Sequence, residues 1–335
     1  MASLVQLKNL AGHRFVALVE NDALRLLTGV ESAYALCENA LATGQSLMTA
    51  ARAAASAELI AYDAAYHGRE WRMLPAFDHP AEPARCFVTG TGLTHRASVD
   101  NRNAMHQDMH QEKTATTDSL RMYQWGVEGG APVPGAIGVS PEWFYKGNGT
   151  CLRGHGEALT IPVFAEDGGD ESEIAGIYLI DSQGQPRRIG MTQGNEFSDH
   201  VLEKKNYLYL ASSKLRECSI GPELILDPDF HAVSGRARIY REDSVLWEKP
   251  VRSGQANMCH TLENIEHHHF KFPLHRQPGD VHIHFYGASA FSFGDHVRLT
   301  SGDVMEVNFD GFGRPLRNAV FAEAGPATLS RVQGL

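Results

Sequence analysis

At 335 residues, 43% of them hydrophobic and 21% charged, the chain has an ordinary globular composition and the length for two domains or one with an appendage. A formal net charge of -10 with no dense Lys/Arg tract excludes a phosphate-binding stripe, and with it nucleic acid as a partner. No apolar run approaches a bilayer span, residues 1–15 mix polar and basic residues into any secretory core, and five scattered cysteines contain no C-x-x-C pair, so a soluble protein without membrane contact in a reducing, cytoplasmic setting is expected.

Residues 15–19 and 24–27 are short apolar runs around Glu20-Asn21-Asp22, which predicts a β-hairpin. Residues 30–57 are rich in Ala, Leu, Met and Glu without proline, which predicts a helix. A Pro/Asp-rich linker over 74–83 then marks the end of a small N-terminal α+β module, residues 1–83, with a second domain over 84–335. Cys86-Phe87-Val88 reads as a strand entering the turn Thr89-Gly90-Thr91-Gly92, and residues 98–125 as a partly helical cover. Beyond Pro141, apolar runs at 159–164, 174–180, 207–210, 224–226, 237–240, 281–286 and 304–309 are separated by Gly, Asp and Pro. Strands at this spacing make the fold class α+β, with a mostly β second domain built as a folded-over sheet or barrel.

The chemistry concentrates between Asp170 and Phe197. Side chains alternate across a strand, so Glu171 and Glu173 share a face. If the chain turns at Gln183-Gly184 and returns without a bulge, the residue opposite Glu171 is Glu196. Three carboxylates converging in a partly buried site repel unless a cation joins them, and the hairpin itself carries no counter-charge for them. Oxygen-only ligands favour a hard ion, Mg2+ first, with Mn2+ or Ca2+ as substitutes. A solvated acidic hairpin is the alternative. Lys214, eighteen positions past Glu196, is a candidate proton carrier, because a neighbouring cation disfavours the ammonium form; an ordinary surface lysine is the other reading.

Together these residues resemble the fumarylacetoacetate hydrolase superfamily over roughly residues 84–320. The ordered landmarks are Pro141 to Lys146, the pair Glu171 and Glu173, Gly194-Asn195-Glu196, Lys214 before Gly221-Pro222, Gln277 to Val281, Gly302-Asp303-Val304 and Gly311-Phe312-Gly313. The resemblance implies a mixed β-roll catalytic domain, metal ligands at Glu171, Glu173 and Glu196, and a homo-oligomer. Two departures bear on activity. Ser98 and Asn101 stand where hydrolases and decarboxylases of the superfamily carry a water-activating His and Glu, and neither can serve as a base at neutral pH. Glu196 replaces the usual Asp and is similar to the branch that dehydrates 2-keto-3-deoxypentonates such as 2-keto-3-deoxyarabonate.

The expected function is therefore a metal-dependent hydro-lyase of non-phosphorylative pentose breakdown. It takes a small 2-keto acid, a 2-keto-3-deoxypentonate, to 2-oxoglutarate semialdehyde (2,5-dioxopentanoate) and water, with Lys214 as base. Ser98, Arg96 and His95 are candidate substrate contacts. The turn Gly287-Ala288-Ser289 resembles the family's Gly-Thr-Pro substrate loop, where Ser289 and backbone amides would hold the substrate carboxylate. A hydrolase of a diketo acid or a keto-acid decarboxylase on the same scaffold, and a non-catalytic sugar-acid binding protein, are the rival readings. The seventeen histidines, among them His267-His268-His269, His282-x-His284 and the pair His106 and His110, are read as core or solvated side chains rather than ligands.

Overall fold

Alternating apolar residues at the start of the chain build three antiparallel strands, β1 (Ala2–Asn9), β2 (Arg14–Glu20) and β3 (Ala23–Leu27), in the computed structural model, which describes residues 2–68, 70–96 and 117–335. The expected hairpin forms, with Asn21 in the left-handed region at φ 57. The expected single helix over 30–57 does not. Gly44, at φ 65, ends the helix Ala33–Thr43 by turning its N–H onto the carbonyls of Ala40 and Leu41. The Ser46 side chain then caps the helix Leu47–Ala53, and the last part of the run becomes β4 (Ala55–Ala61), paired to β3. Pairing with an open strand outweighs the modest helix preference of Ala and Leu.

The following strands are β5 (Trp71–Met73), β6 (Cys86–Gly92), β7 (Glu142–Asn148), β8 (Leu152–Arg153), β9 (Leu159–Ile161), β10 (Ser172–Ile180), β11 (Pro186–Asn195), β12 (Cys218–Ile220), β13 (Leu224–Leu226), β14 (Val233–Arg241), β15 (Ser244–Ser253), β16 (Val281–Phe285), β17 (Val304–Phe309) and β18 (Leu316–Ala322). Of the expected cover over 98–125, residues 98–116, with Ser98, Asn101, His106 and His110 among them, lie outside the described residues, and residues 118–125 enter a helix, Asp118–Gly129, capped by Thr117. Residues 207–210, expected as a strand, instead form a 3-10 turn leading into the helical turn Leu210–Lys214. Asn206 starts it by accepting the Leu208 amide at 2.9 Å, which a strand start would leave for a neighbouring chain.

Among the described residues one sheet holds thirteen strands, its main path running β4-β3-β2-β1-β13-β11-β10-β16-β6-β7, and a second holds five in the order β15-β14-β17-β18-β9. The expected boundary at residue 83 falls between β5 and β6. One sheet spans it, because β1 pairs with β13 with Leu4 opposite Leu224. On one face of this sheet Leu36, Cys37 and Ala40 of the first helix join a core with Val88, Ala175, Ile177, Ile283 and Phe285. On the other, Ile174, Met191 and Tyr286 meet Ala237, Ile239, Val307 and Phe309 of the second sheet. Each such fully buried large apolar side chain stabilises the fold by roughly 1.5–3 kcal/mol. Strand β10 is therefore covered on both faces and buried at every residue, which explains its unbroken apolar run and makes two glutamates at its start an expensive placement.

Candidate metal centre

The Asp181 side chain shapes the β10–β11 turn by accepting the amides of Gln183 and Gln185, both at 2.9 Å, with Gly184 at φ 76. Ile180 pairs with Pro186, so the turn centres on Gln183, half a residue earlier than the sequence suggests. Ile189 then bulges out between Arg188 and Gly190, which face the consecutive residues Tyr178 and Ile177. The bulge shifts all later pairs by one, giving Ser172 opposite Asn195 and Glu173 opposite Gly194, and the ladder closes with the Glu196 amide on the Glu171 carbonyl at 2.9 Å. The expected pairing of Glu171 with Glu196 is present, by a different route.

Glu171, Glu173 and Glu196 each offer a carboxylate oxygen, and the three atoms lie within 4.8 Å of one another. Asn195 fixes the corner: its Oδ1 accepts the amides of Glu171 at 3.0 Å and Phe197 at 3.2 Å, holding Phe197 at φ 40. Such a conformation costs a bulky residue about 1–3 kcal/mol. It also turns the Phe197 carbonyl onto the Lys146 ammonium. Glu173 accepts the Gly287 amide at 2.7 Å. Gly287 is required there, since it sits at φ 98 and a Cβ would fall 2.0 Å from the Thr94 hydroxyl.

The hairpin lacks a counter-charge, but the fold supplies two. Lys214, at the end of the turn Leu210–Lys214, places Nζ 2.6 Å from Glu171 Oε1 and 2.5 Å from Glu196 Oε2, with the ammonium 4.8 Å over the Phe144 ring. Lys146 of β7 places Nζ 2.7 Å from Glu196 Oε1, and this contact lacks hydrogen-bond geometry. His200 Nε2 meets Glu171 Oε1 at 2.9 Å, its ring approaching so near that a Cβ at Gly169 would lie 2.1 Å from Nδ1. Three carboxylates thus face two buried ammonium groups and an imidazole.

Burial works against ionising Glu171, yet Lys214 and His200 overcome it and hold this carboxyl well below its usual range. Burial pushes Glu173 well above that range, reinforced by Glu171 and Glu196. Burial also raises Glu196, against the pull of Lys146 and Lys214. Burial opposes a charged Lys214, but Glu171 and Glu196 outweigh it and keep the ammonium favoured. Glu173 is the acid without its own cation, and Glu196 Oε1 is a buried acceptor that no described residue hydrogen-bonds. Both fit a divalent cation, whose bonds to oxygen of about 2.0–2.6 Å suit ligand atoms this close together.

The other expected residues divide. His95 is buried and neutral, with burial pulling it down to about 4; its Nδ1 meets the Thr94 hydroxyl at 2.9 Å, and Nε2 has no hydrogen-bond partner among the described residues. Thr94 in turn donates to the Tyr286 carbonyl at 2.8 Å, which seats this segment against Gly287. The Gly287 amide is engaged by Glu173, Ala288 packs on Phe291, and the Ser289 hydroxyl accepts the Arg252 amide at 2.8 Å. Arg96 is exposed, 5.9 Å over the Tyr123 ring. Phe144 and Lys146 stood in the landmark Pro141 to Lys146 without a role, and His200 was not singled out. The alternation of Glu142, Phe144 and Lys146 along β7, buried against exposed Trp143 and Tyr145, is the one sequence signal that points to an inward lysine. His200 had none, lying in a polar stretch beyond the hairpin.

No family profile matches the chain. A 186-residue stretch, 54% of this chain and 60% of the relative, is 26% identical to a probable 2-keto-3-deoxyxylonate dehydratase of Haloferax volcanii, so the match spans under two thirds of that protein. The solved apo structure of a 2-keto-3-deoxy-D-arabinonate dehydratase superposes with a TM-score of 0.69 at 20% identity, covering 97% of this chain and all of that one (100%). A 2-keto-3-deoxy-D-arabinonate dehydratase complexed with magnesium and 2,5-dioxopentanoate matches at a TM-score of 0.69 and 19% identity, over 97% and 100% of the two chains. The chain resembles this dehydratase branch in sequence and shares its fold.

Proposed function

We propose that the protein is a divalent-metal-dependent hydro-lyase that dehydrates a 2-keto-3-deoxy sugar acid, a 2-keto-3-deoxypentonate, to 2,5-dioxopentanoate and water. The observation that carries this reading is the buried Lys214 ammonium 2.6 and 2.5 Å from two of three clustered carboxylates. The dehydratases among the relatives support it. Glu171, Glu173 and Glu196 would hold Mg2+, which when bound supplies Lewis acidity for the C2 carbonyl and C1 carboxylate of a keto acid.

The protein's own groups do the rest. Lys214 shares its carboxylate partners with the cation, and a cation among them disfavours the ammonium, so the lysine can take the C3 proton. The resulting LysNH3+ is a proton donor to the departing C4 hydroxyl. Loss of a C5 proton and tautomerisation complete the aldehyde. Neutral His95 is a second candidate donor or acceptor beside the Gly287 loop. The Phe144 ring and the buried walls keep water from competing for the lysine. A homo-oligomer in the cytoplasm belongs to the same proposal.

Incubation with 2-keto-3-deoxypentonates and magnesium, with products identified by mass spectrometry, tests the reading. The expected product is the dioxo acid, without pyruvate. Pyruvate or carbon dioxide as the product would replace it with a cleavage enzyme, and tight binding without turnover would replace it with a sugar-acid binding protein.

A further inference from the structure

The five cysteines are scattered in sequence, but the fold brings two of them together. Strand β12 pairs in parallel with β8, Cys218 opposite Leu152, so Cys151, the residue before β8, lies beside Cys218 with the sulfurs 4.0 Å apart. Cys218 is buried on a fixed strand. Cys151 is partly exposed and ends a single 3-10 turn, Gly149–Cys151. One thiol is thus held on a buried strand and the other at the end of a short, partly exposed turn.

We propose that Cys151 and Cys218 are a reversible redox modification site, closing to a disulfide when a hydroperoxide oxidises them. The sulfurs must approach by about 2 Å, which rotation at Cys151 and adjustment of its turn can supply. The two thiols are also unlike. The Cys151 thiol is held below its ordinary range by its contact with Cys218, against burial and with help from Lys146 and Arg153, whereas burial pushes Cys218 up. Cys151 is then the attacking thiolate. With hydrogen peroxide, its sulfur attacks one oxygen, the O–O bond breaks, and the leaving hydroxide takes up the thiol proton as water, which leaves a sulfenic acid on Cys151; an organic hydroperoxide would release its alcohol instead. The Cys218 sulfur attacks that sulfur, the S–O bond breaks, and the hydroxyl leaves with the Cys218 proton as a second water. Two electrons pass from the thiols to the peroxide, and a dithiol reductant reverses the change.

The placement has a consequence for the acidic cluster. The bridge closes a loop between residues 67 apart in sequence, and Glu171, Glu173, Glu196 and Lys214 all lie inside it. Oxidation would tie together the two ends of the segment that carries the whole cluster.

The test is peptide mapping of the full, folded chain after treatment with hydrogen peroxide and quenching with an alkylating agent. The expected result is joint loss of the Cys151 and Cys218 thiols, one cross-linked peptide joining them, and its disappearance on reduction. Cys86→Ser should keep the cross-link, and Cys151→Ser and Cys218→Ser should each abolish it. The proposal is overturned if both thiols remain open to alkylation, if Cys151 proceeds to sulfinic acid while Cys218 stays free, or if Cys151 is found joined to Cys86.

Discussion

Two regions of this molecule bury ionisable groups in opposite ways. Around Glu171, Glu173 and Glu196 charge is kept in part: Glu171 and Lys214 favour their ionised forms, Lys146 and His200 stand in contact, and Glu173 is pushed towards its neutral form. Where helix Leu262–Phe270 meets β16, the charges are discarded. His269 Nε2 meets His282 Nδ1 at 3.0 Å, and His284 bonds the hydroxyls of Thr89 at 2.8 Å and Thr91 at 2.7 Å. Burial, helped by neighbouring His275, pulls both His282 and His284 down to about 3, so these rings are neutral packing elements. Among the described residues it is the glutamates that bring three ligand atoms within 4.8 Å of one another. A cluster that holds ionised groups in the interior beside an acid without its own counter-charge is poised for a cation; one whose groups are all neutral is core.

The sharpest way to break this contrast is to remove the cation. EDTA is expected to abolish dehydration and magnesium to restore it, and full turnover after metal stripping would dissolve the distinction. Next in size is Lys214→Met, expected to lower turnover by roughly 10²–10⁴ while leaving magnesium binding in place, as for a positioned acid–base group. Solvent deuterium exchange at C3 should fall with it; near-wild-type exchange would reassign the base.

Lys146→Met should strip Glu196 of a buried partner and destabilise the metal-free protein by roughly 3–5 kcal/mol, with magnesium returning part of the loss. Thermal unfolding with and without the ion measures this, and an unchanged melting temperature would reduce Lys146 to filler. On the histidine side the expected effect is a slope. Because the folded values near 3 lie below the unfolded value of about 6.5, the unfolded chain takes up protons first as pH falls. Stability present at pH 7 is then lost through the window from about 6.5 towards 3, by about 1.4 kcal/mol per pH unit for each ring. His284→Gln should flatten this acid loss, and equal slopes in wild type and variant would show a charged cluster after all. Smallest is Ser289→Ala, expected to change KM by less than about twofold, since its hydroxyl is turned to the Arg252 amide.

Much of the acidic cluster was legible because it is local. Glu171, Glu173 and Glu196 belong to one hairpin, and alternation plus turn chemistry sufficed to bring them together. The two errors in that reading, a turn centred half a residue late and a missing bulge, cancelled. Lys146 was hidden because its partner lies 50 positions away on another element, a pairing that periodicity does not encode. The helix over 30–57 was misjudged in its middle, where Gly44 and Ser46 carry local stop and start signals, and at its end, where the recruitment of residues 55–61 into β4 depends on the free edge of β3. Residues 207–210 show the reverse, an apolar run with a strand's composition that a side-chain cap at Asn206 turns helical.

The bulge at Ile189 makes the identity of the third carboxylate a matter of spacing. Side chains along β11 alternate between faces, so adding one residue between the turn and Gly190 while the bulge is kept would bring Asn195 opposite Glu171 and send Glu196 to the far side of the sheet. An amide would then replace an acid among the ligands without any change at the positions that bind. A single codon insertion would therefore recast the ion preference of this scaffold, whereas loss of the bulged Ile189 would leave the pairing of Glu171 with Glu196 in place.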